Sequence, residues 1–183
     1  LVDVQPDAVG GLDRLPFPVM MALGCDVLLQ KPLFLDFTAN AIGFLDEGAA
    51  GTTPRVRLDA DFTLGLPLFH VSLGGHVLNA LFDTGAGMCV INRQHVDAFQ
   101  EALTEAEPLE VEDATGAKHT LPTFKCRGLT VGGRPLGDCQ ALALDLDAFE
   151  QLAGRRLDFG FGVNAMLGQY WVINPQESCI EIG

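Results

Sequence analysis

The stretch NALFDTGAGMCVIN (79–92) decides how this chain is read. A carboxylate, Asp83, stands at the end of a run with the composition of a buried strand, and Thr84, Gly85, Ala86 and Gly87 follow it at once. Asp-Thr-Gly is also an ordinary turn sequence, in which Asp bonds its own backbone and Gly supplies positive φ. A given tripeptide arises by chance in roughly one chain of this length in forty. The three residues therefore need support from what surrounds them.

Upstream, PLFHVSL runs into Gly74-Gly75 and out through VLNALF, which predicts a hairpin delivering Asp83 at the end of its second strand. Downstream, MCVIN predicts a short strand, and RQHVDAFQEAL predicts an amphipathic α-helix with Val96, Phe99 and Leu103 on one face. LEVEDATGAKHTL alternates around Gly116 as a hairpin with its tip at Asp113, Ala114, Thr115, Gly116, Ala117 and Lys118. GLTVGGRPLGDCQALALDL adds two strands about Gly132-Gly133. The chain reads as mostly β.

A gapless internal repeat lies outside this region. ALGCDVLLQKPLFLDFTANAIGFL (22–45) aligns with GFGVNAMLGQYWVINPQESCIEIG (160–183) at an offset of 160 − 22 = 138. Gly24 falls on Gly162, Asp26 on Asn164, Leu29 on Leu167, Asp36 on Asn174 and Ile42 on Ile180. Apolar positions track as well: Leu28 with Met166, Phe34 with Val172, Leu35 with Ile173, Phe44 with Ile182. Both copies read as glycine, short helix, strand, turn and strand. Between the N-terminal copy and the rest, DEGAAGTTP (46–54) reads as a linker.

Composition excludes several classes. A net charge of −13 with 11 Lys and Arg argues against a nucleic-acid or anionic-membrane surface, which needs clustered cations. FPVMMALGCDVLL, the longest apolar stretch, is interrupted by Asp26 and falls short of the roughly 20 residues of a membrane crossing. The five cysteines are dispersed and form no CxxC, so they read as small core hydrophobes, and the four histidines lack metal-ligand spacing. No cofactor and no metal is expected.

With these pieces in order, residues 58–183 resemble the retropepsin-like aspartic protease family, particularly its bacterial pepsin/retropepsin-like members. ALFDTGAG matches the hairpin-borne catalytic loop, VEDATGAKHTL the flap, and FGFGVNAMLGQYWVIN the hydrophobic-Gly segment with its helix. Gly160 departs from the pattern, standing where the family prefers an aliphatic residue. The resemblance implies an acid protease barrel lobe over 55–183, preceded in 1–45 by the C-terminal half of a second similar lobe. It implies an aspartic endopeptidase acting on peptide or protein, with Asp83 catalytic and Thr84, Gly85 and Ala86 shaping its loop. Residues 113–118 would close over the substrate, and Thr84 would bond inward to a symmetry mate. It also favours export, periplasmic or secreted, over the cytoplasm.

Family chemistry uses two facing carboxylates, and 183 residues hold one Asp-Thr-Gly. The partner is expected from a homodimer mate or from an N-terminal lobe of the same polypeptide, whose equivalent aspartate falls near position 83 − 138 = −55. A catalytically inactive peptide-binding or dimerisation module is the alternative. The apolar N-terminal region is expected to pack on a missing fragment, a second copy, or the lobe's own sheet.

Overall fold

The computed structural model describes residues 24–45, 55–112 and 118–183. The predicted linker 46–54, the flap tip 113–117 and residues 1–23 lie outside the described residues. In chain order the regular elements are α1 (Cys25–Leu28), β1 (Leu33–Asp36), β2 (Ala41–Phe44), β3 (Val56–Asp59), β4 (Leu68–Leu73), β5 (His76–Phe82), β6 (Cys89–Asn92), β7 (Leu103–Glu112), β8 (Lys118–Val131), β9 (Arg134–Leu144), α2 (Asp147–Ala153), β10 (Phe159–Phe161), α3 (Val163–Met166), β11 (Tyr170–Asn174) and β12 (Cys179–Ile182). The chain is mostly β, in two sheets.

The larger sheet runs β4-β5-β10-β6-β9-β8-β7. Its founding hairpin turns at Gly74 and Gly75, with φ of 57° and 87°, the left-handed pair that a two-residue turn between twisted strands demands. The decisive topological feature is β10. Phe159, Gly160 and Phe161, all buried, slot between β5 and β6, parallel to the first and antiparallel to the second. Gly160 is where the sequence departs from the family pattern, and a β-carbon there would stand 3.2 Å from Val90 Cβ. The tight fit against β6 accounts for the missing aliphatic side chain.

Residues 93–102 form consecutive 3₁₀ turns rather than the expected α-helix. The apolar positions explain the difference: Val96, Phe99 and Ala102 recur every third residue, which lines one edge of a three-per-turn helix. Phe99 and Ala102 are buried, and Leu103, expected on the same helical face, instead begins β7. Asn92 caps the segment, its side chain accepting from Gln94 N at 3.2 Å.

The smaller sheet runs β2-β1-β11-β12-β3, so residues 33–44 are built directly onto the lobe's own sheet. Leu33 and Leu35 are buried there. The segment and its counterpart have matching geometry at the 138-residue offset. The β1–β2 register pairs Leu33 with Phe44 and Leu35 with Ile42, and the β11–β12 register pairs Trp171 with Ile182 and Ile173 with Ile180. Gly24 and Gly162 precede their helices with similar backbone angles, and Asn40 and Ser178 both adopt positive φ in their hairpin turns.

Aromatic packing joins the sheets. Trp171, from the smaller sheet, meets Phe82 and Phe161, from the larger, edge to face at centroid distances of 5.4 and 5.3 Å. Phe69 stands against Phe161 at 5.4 Å. The Trp171 indole N–H is satisfied by Met166 O at 3.1 Å, so the ring is buried without an orphaned donor. Phe82 is the residue before Asp83, so the centre of the core fixes the start of the candidate loop.

Candidate active site

Asp83 leaves the end of β5 with its own N–H donating to Phe161 O at 3.0 Å, which ties the loop to β10. Its carboxylate oxygen Oδ1 accepts from Gly85 N at 2.8 Å, and Ala86 N reaches Asp83 O at 3.4 Å. The loop is then clamped from behind by α3. Val163 N donates to Ala86 O at 2.8 Å and Asn164 N to Gly87 O at 3.2 Å. The Asn164 side chain works in both directions: Oδ1 accepts from Cys89 N at 2.8 Å while Nδ2 donates to Gln140 O at 2.8 Å.

This clamp needs glycine at position 162. A β-carbon there would lie 2.5 Å from both the carbonyl carbon and oxygen of Met88, a backbone clash that no side-chain rotation relieves. Asp83 is thus half-exposed on a rigid base, and Thr84, Gly85 and Gly87 are exposed. Thr84, expected to bond inward to a symmetry mate, lies on the exposed side of the loop. Ala86 is partly buried, with its carbonyl engaged by α3.

The Cys25 thiol is pushed above its ordinary range by burial first, then by the negative charges of Asp83 and Asp26. The 24–45 segment therefore brings its first helical turn within electrostatic reach of Asp83.

The β7–β8 hairpin carries the predicted flap. Glu112 and Lys118 are paired in register at its described end, and Lys118 Nζ contacts Glu110 Oε1 at 2.7 Å, both exposed. Asp113, Ala114, Thr115, Gly116 and Ala117 belong to the tip outside the described residues. A register shift between Ala106 and Leu109 breaks the ladder, and Thr123 Oγ1 donates to Glu107 O at 2.7 Å beside it. Such a bulge bends a hairpin out of its sheet.

Two functional features lie beyond the sequence reading. Asn164 is visible there only as the partner of Asp26 in the repeat, a small polar residue two after a glycine, and that recurrence is the available signal. Asp158 carries none. It is 2% exposed, accepts from Asn79 N at 3.0 Å and Arg156 Nε at 2.6 Å, and has His95 Nδ1 at 3.0 Å. This buried carboxylate holds the entry to β10 against β5, so it supports the loop from a distance.

Four cysteines are buried and only Cys25 is exposed. Cys126 faces Cys139 across β8–β9, and hydrogen bonding to Cys139, followed by burial, holds the Cys89 and Cys126 thiols above the ordinary range. Among the described residues no cluster of three or more His, Cys, Asp or Glu has metal-binding geometry. A cavity of 290 Å3 lies between β4, β5 and Arg155, and none of its lining residues belongs to the Asp83 loop. Among the described residues no helix is long and apolar enough to cross a membrane.

A strand-borne Asp-Thr-Gly loop braced by a hydrophobic-Gly-helix segment defines a class, and the family comparison agrees. The aspartyl protease family model matches residues 69–169, more than half of the sequence, and the chain belongs to that family. Among solved structures it is similar to a retropepsin-like aspartic protease from Rickettsia conorii, at 7% identity and a TM-score of 0.48, covering 70% of this chain and 89% of that one. It is also similar to Basic 7S globulin from soybean, at 12% identity and a TM-score of 0.45, covering 85% of this chain and 50% of that one. Comparison with curated protein sequences finds no match.

Proposed function

We propose that the chain contributes one of two catalytic lobes of an aspartic endopeptidase, with Asp83 as its carboxylate. In this reading 55–183 is a complete lobe, 46–54 a linker and 1–45 the closing half of the lobe that supplies the second aspartate. The observation that carries the reading is the setting of Asp83: half-exposed at a strand end, with the loop behind it fixed by α3 through three hydrogen bonds, and Asn164 of α3 itself anchored to Gln140 O of β9. Catalytic groups need such rigid mounting.

The chemistry follows from pairing. Two carboxylates facing one another cannot both ionise, so they share a proton. The ionised member takes a proton from water as that water attacks the scissile carbonyl carbon, and the protonated member hydrogen-bonds the carbonyl oxygen. The β7–β8 hairpin, with its tip residues Asp113 to Lys118, would close over an extended peptide by strand-like backbone pairing. Substrate is a peptide or protein. The resemblance supports an exported protein, periplasmic or secreted.

A second reading is a lobe kept as a peptide-binding or dimerisation module, favoured by the single Asp-Thr-Gly in the sequence. Cleavage of a mixed peptide library by the polypeptide extended upstream in its reading frame, from acidic to neutral pH, with and without a pepstatin-like inhibitor, separates the two. The peptidase reading predicts inhibitor-sensitive cleavage that Asp83→Asn lowers by about a hundredfold or more. Equal cleavage by both proteins removes Asp83 from the mechanism.

A further inference from the structure

Three thiols that peptide hydrolysis does not use converge behind the Asp83 loop. In the larger sheet β9 lies between β6 and β8. Cys139 on β9 faces Cys126 on β8, and Ala141, two residues further along β9, faces Cys89 on β6. Residues opposed across a ladder, and residues two apart on one strand, share a face of the sheet. The three side chains therefore enter the core from one side, and the Cys89 and Cys126 thiols both hydrogen-bond the Cys139 sulfur. Of the three only Cys139 retains exposure, 8%, and the other two have none.

Sheet geometry decides which pair can be joined. Directly opposed residues of an antiparallel ladder have Cα atoms about 4.5 to 5.5 Å apart, inside the roughly 4.4 to 6.8 Å span of a disulfide. Cys126 and Cys139 are such a pair. Cys89 is offset from Cys139 by two residues on the neighbouring strand, which places their Cα atoms about 8 Å apart and beyond that span. Hydrogen bonding sorts the three as well. Cys139 accepts from Cys126 first and from Cys89 second, and these contacts hold its thiol below the ordinary range against burial and the Asp138 carboxylate. Lys125 Nζ, 3.1 Å from Asp138 Oδ2, offsets that carboxylate.

We propose that Cys139 and Cys126 form a peroxide-oxidisable site, with Cys139 as the attacking sulfur, Cys126 as the resolving thiol and Cys89 as the donor that positions the Cys139 sulfur. Hydrogen peroxide is the oxidant, small enough for the narrow exposure of Cys139, where bulkier iodoacetamide is not. The Cys139 thiolate attacks one peroxide oxygen: the S–O bond forms, the O–O bond breaks, and the departing hydroxide takes up a proton as water, leaving a sulfenic acid. The Cys126 sulfur then attacks the Cys139 sulfur. The S–S bond forms, the S–O bond breaks, and the Cys126 proton leaves with the hydroxyl as a second water. Two thiols lose two electrons in all, and peroxide is reduced to water. The site is linked to the brace of the Asp83 loop. Gly162 N donates to Cys89 Sγ at 3.4 Å, Cys89 N donates to Asn164 Oδ1 at 2.8 Å, and Asn164 Nδ2 donates to the carbonyl of Gln140, the residue after Cys139. Oxidation takes the negative sulfur away from Cys89, whose next acceptor is Gly162 O at 4.0 Å.

The test treats the reduced 183-residue chain carrying Cys25→Ser, which keeps the three clustered thiols and Cys179, with hydrogen peroxide. Thiols are counted by alkylation after denaturation and intact mass, and crosslinks are mapped on unreduced peptides. The count should fall from four to two with a Cys126–Cys139 crosslink, and dithiothreitol should restore it. In this background Cys126→Ser should hold Cys139 as a sulfenic acid that dimedone traps, and Cys139→Ser should slow thiol loss by about tenfold or more. Cys89→Ala should keep the crosslink but move the rise of its formation rate to higher pH, a displacement that a merely structural residue would not cause. Retention of all four thiols at a peroxide dose that oxidises free glutathione, a crosslink through Cys89 or Cys179, or equal rates with and without Cys139 overturns the inference. An unchanged pH profile in Cys89→Ala overturns its positioning role. Should a core variant fail to fold, the mapping on the Cys25→Ser parent decides by itself. None of these readouts is proteolysis, so either outcome leaves the peptidase reading to its own test.

Discussion

Cys25 offers a chemical probe of Asp83 at the scale of single residues. It is the exposed cysteine among five, and its thiol is held above the ordinary range by burial and by the charges of Asp83 and Asp26. Raising a thiol's pKa lowers the thiolate fraction at neutral pH and slows alkylation. We therefore expect iodoacetamide to modify the native chain once, slowly, with the rate still climbing at pH values where an ordinary thiol has levelled off. Asp83→Asn removes one of the negative charges and should bring the pKa down, so alkylation near neutral pH should speed up. An unchanged rate would mean that α1 does not sit within reach of the loop. The sequence carries no signal for this neighbourhood, because the two side chains stand 58 positions apart (83 − 25 = 58) and no periodicity links them.

At the scale of elements, the glycine before each short helix separates a completed contact from an open one. Gly162→Ala sets a methyl against the Met88 backbone and should cost about 2 kcal/mol in urea unfolding, the range of an overpacked core. Among the described residues Gly24→Ala meets only the movable end of the Asp26 side chain, and it should cost within about 0.5 kcal/mol. Equal costs would contradict the asymmetry. The hairpins and their turns are legible in the sequence because alternation and paired glycines report local geometry directly, as Gly74-Gly75 and Gly132-Gly133 do. Residues 93–102 read as α-helix in the sequence because a few apolar positions fit both periods, and only Leu103 entering β7 decides between them. Asp158 is invisible there because its partners, Asn79, His95 and Arg156, are assembled by β10 threading between β5 and β6, a non-local event.

At the scale of the whole molecule, the account turns on the proposal that Asp83 is half of a pair of carboxylates. Two separate signals in the sequence motivate that proposal, the solitary Asp-Thr-Gly and the 138-residue offset, but neither shows that the N-terminal segment is built into the lobe's own sheet. On the two-lobe proposal, Asp83 depends on the lobe that supplies the second carboxylate. The most direct test is kcat/KM on a peptide substrate for the 183-residue chain and for the upstream-extended polypeptide, the latter with Asp83 intact or as Asp83→Asn. The account predicts that the extended wild type exceeds both the 183-residue chain and the extended Asp83→Asn protein by about a thousandfold. Full activity in the monomeric 183-residue chain, or in the extended polypeptide carrying the Asp83→Asn substitution, would contradict it.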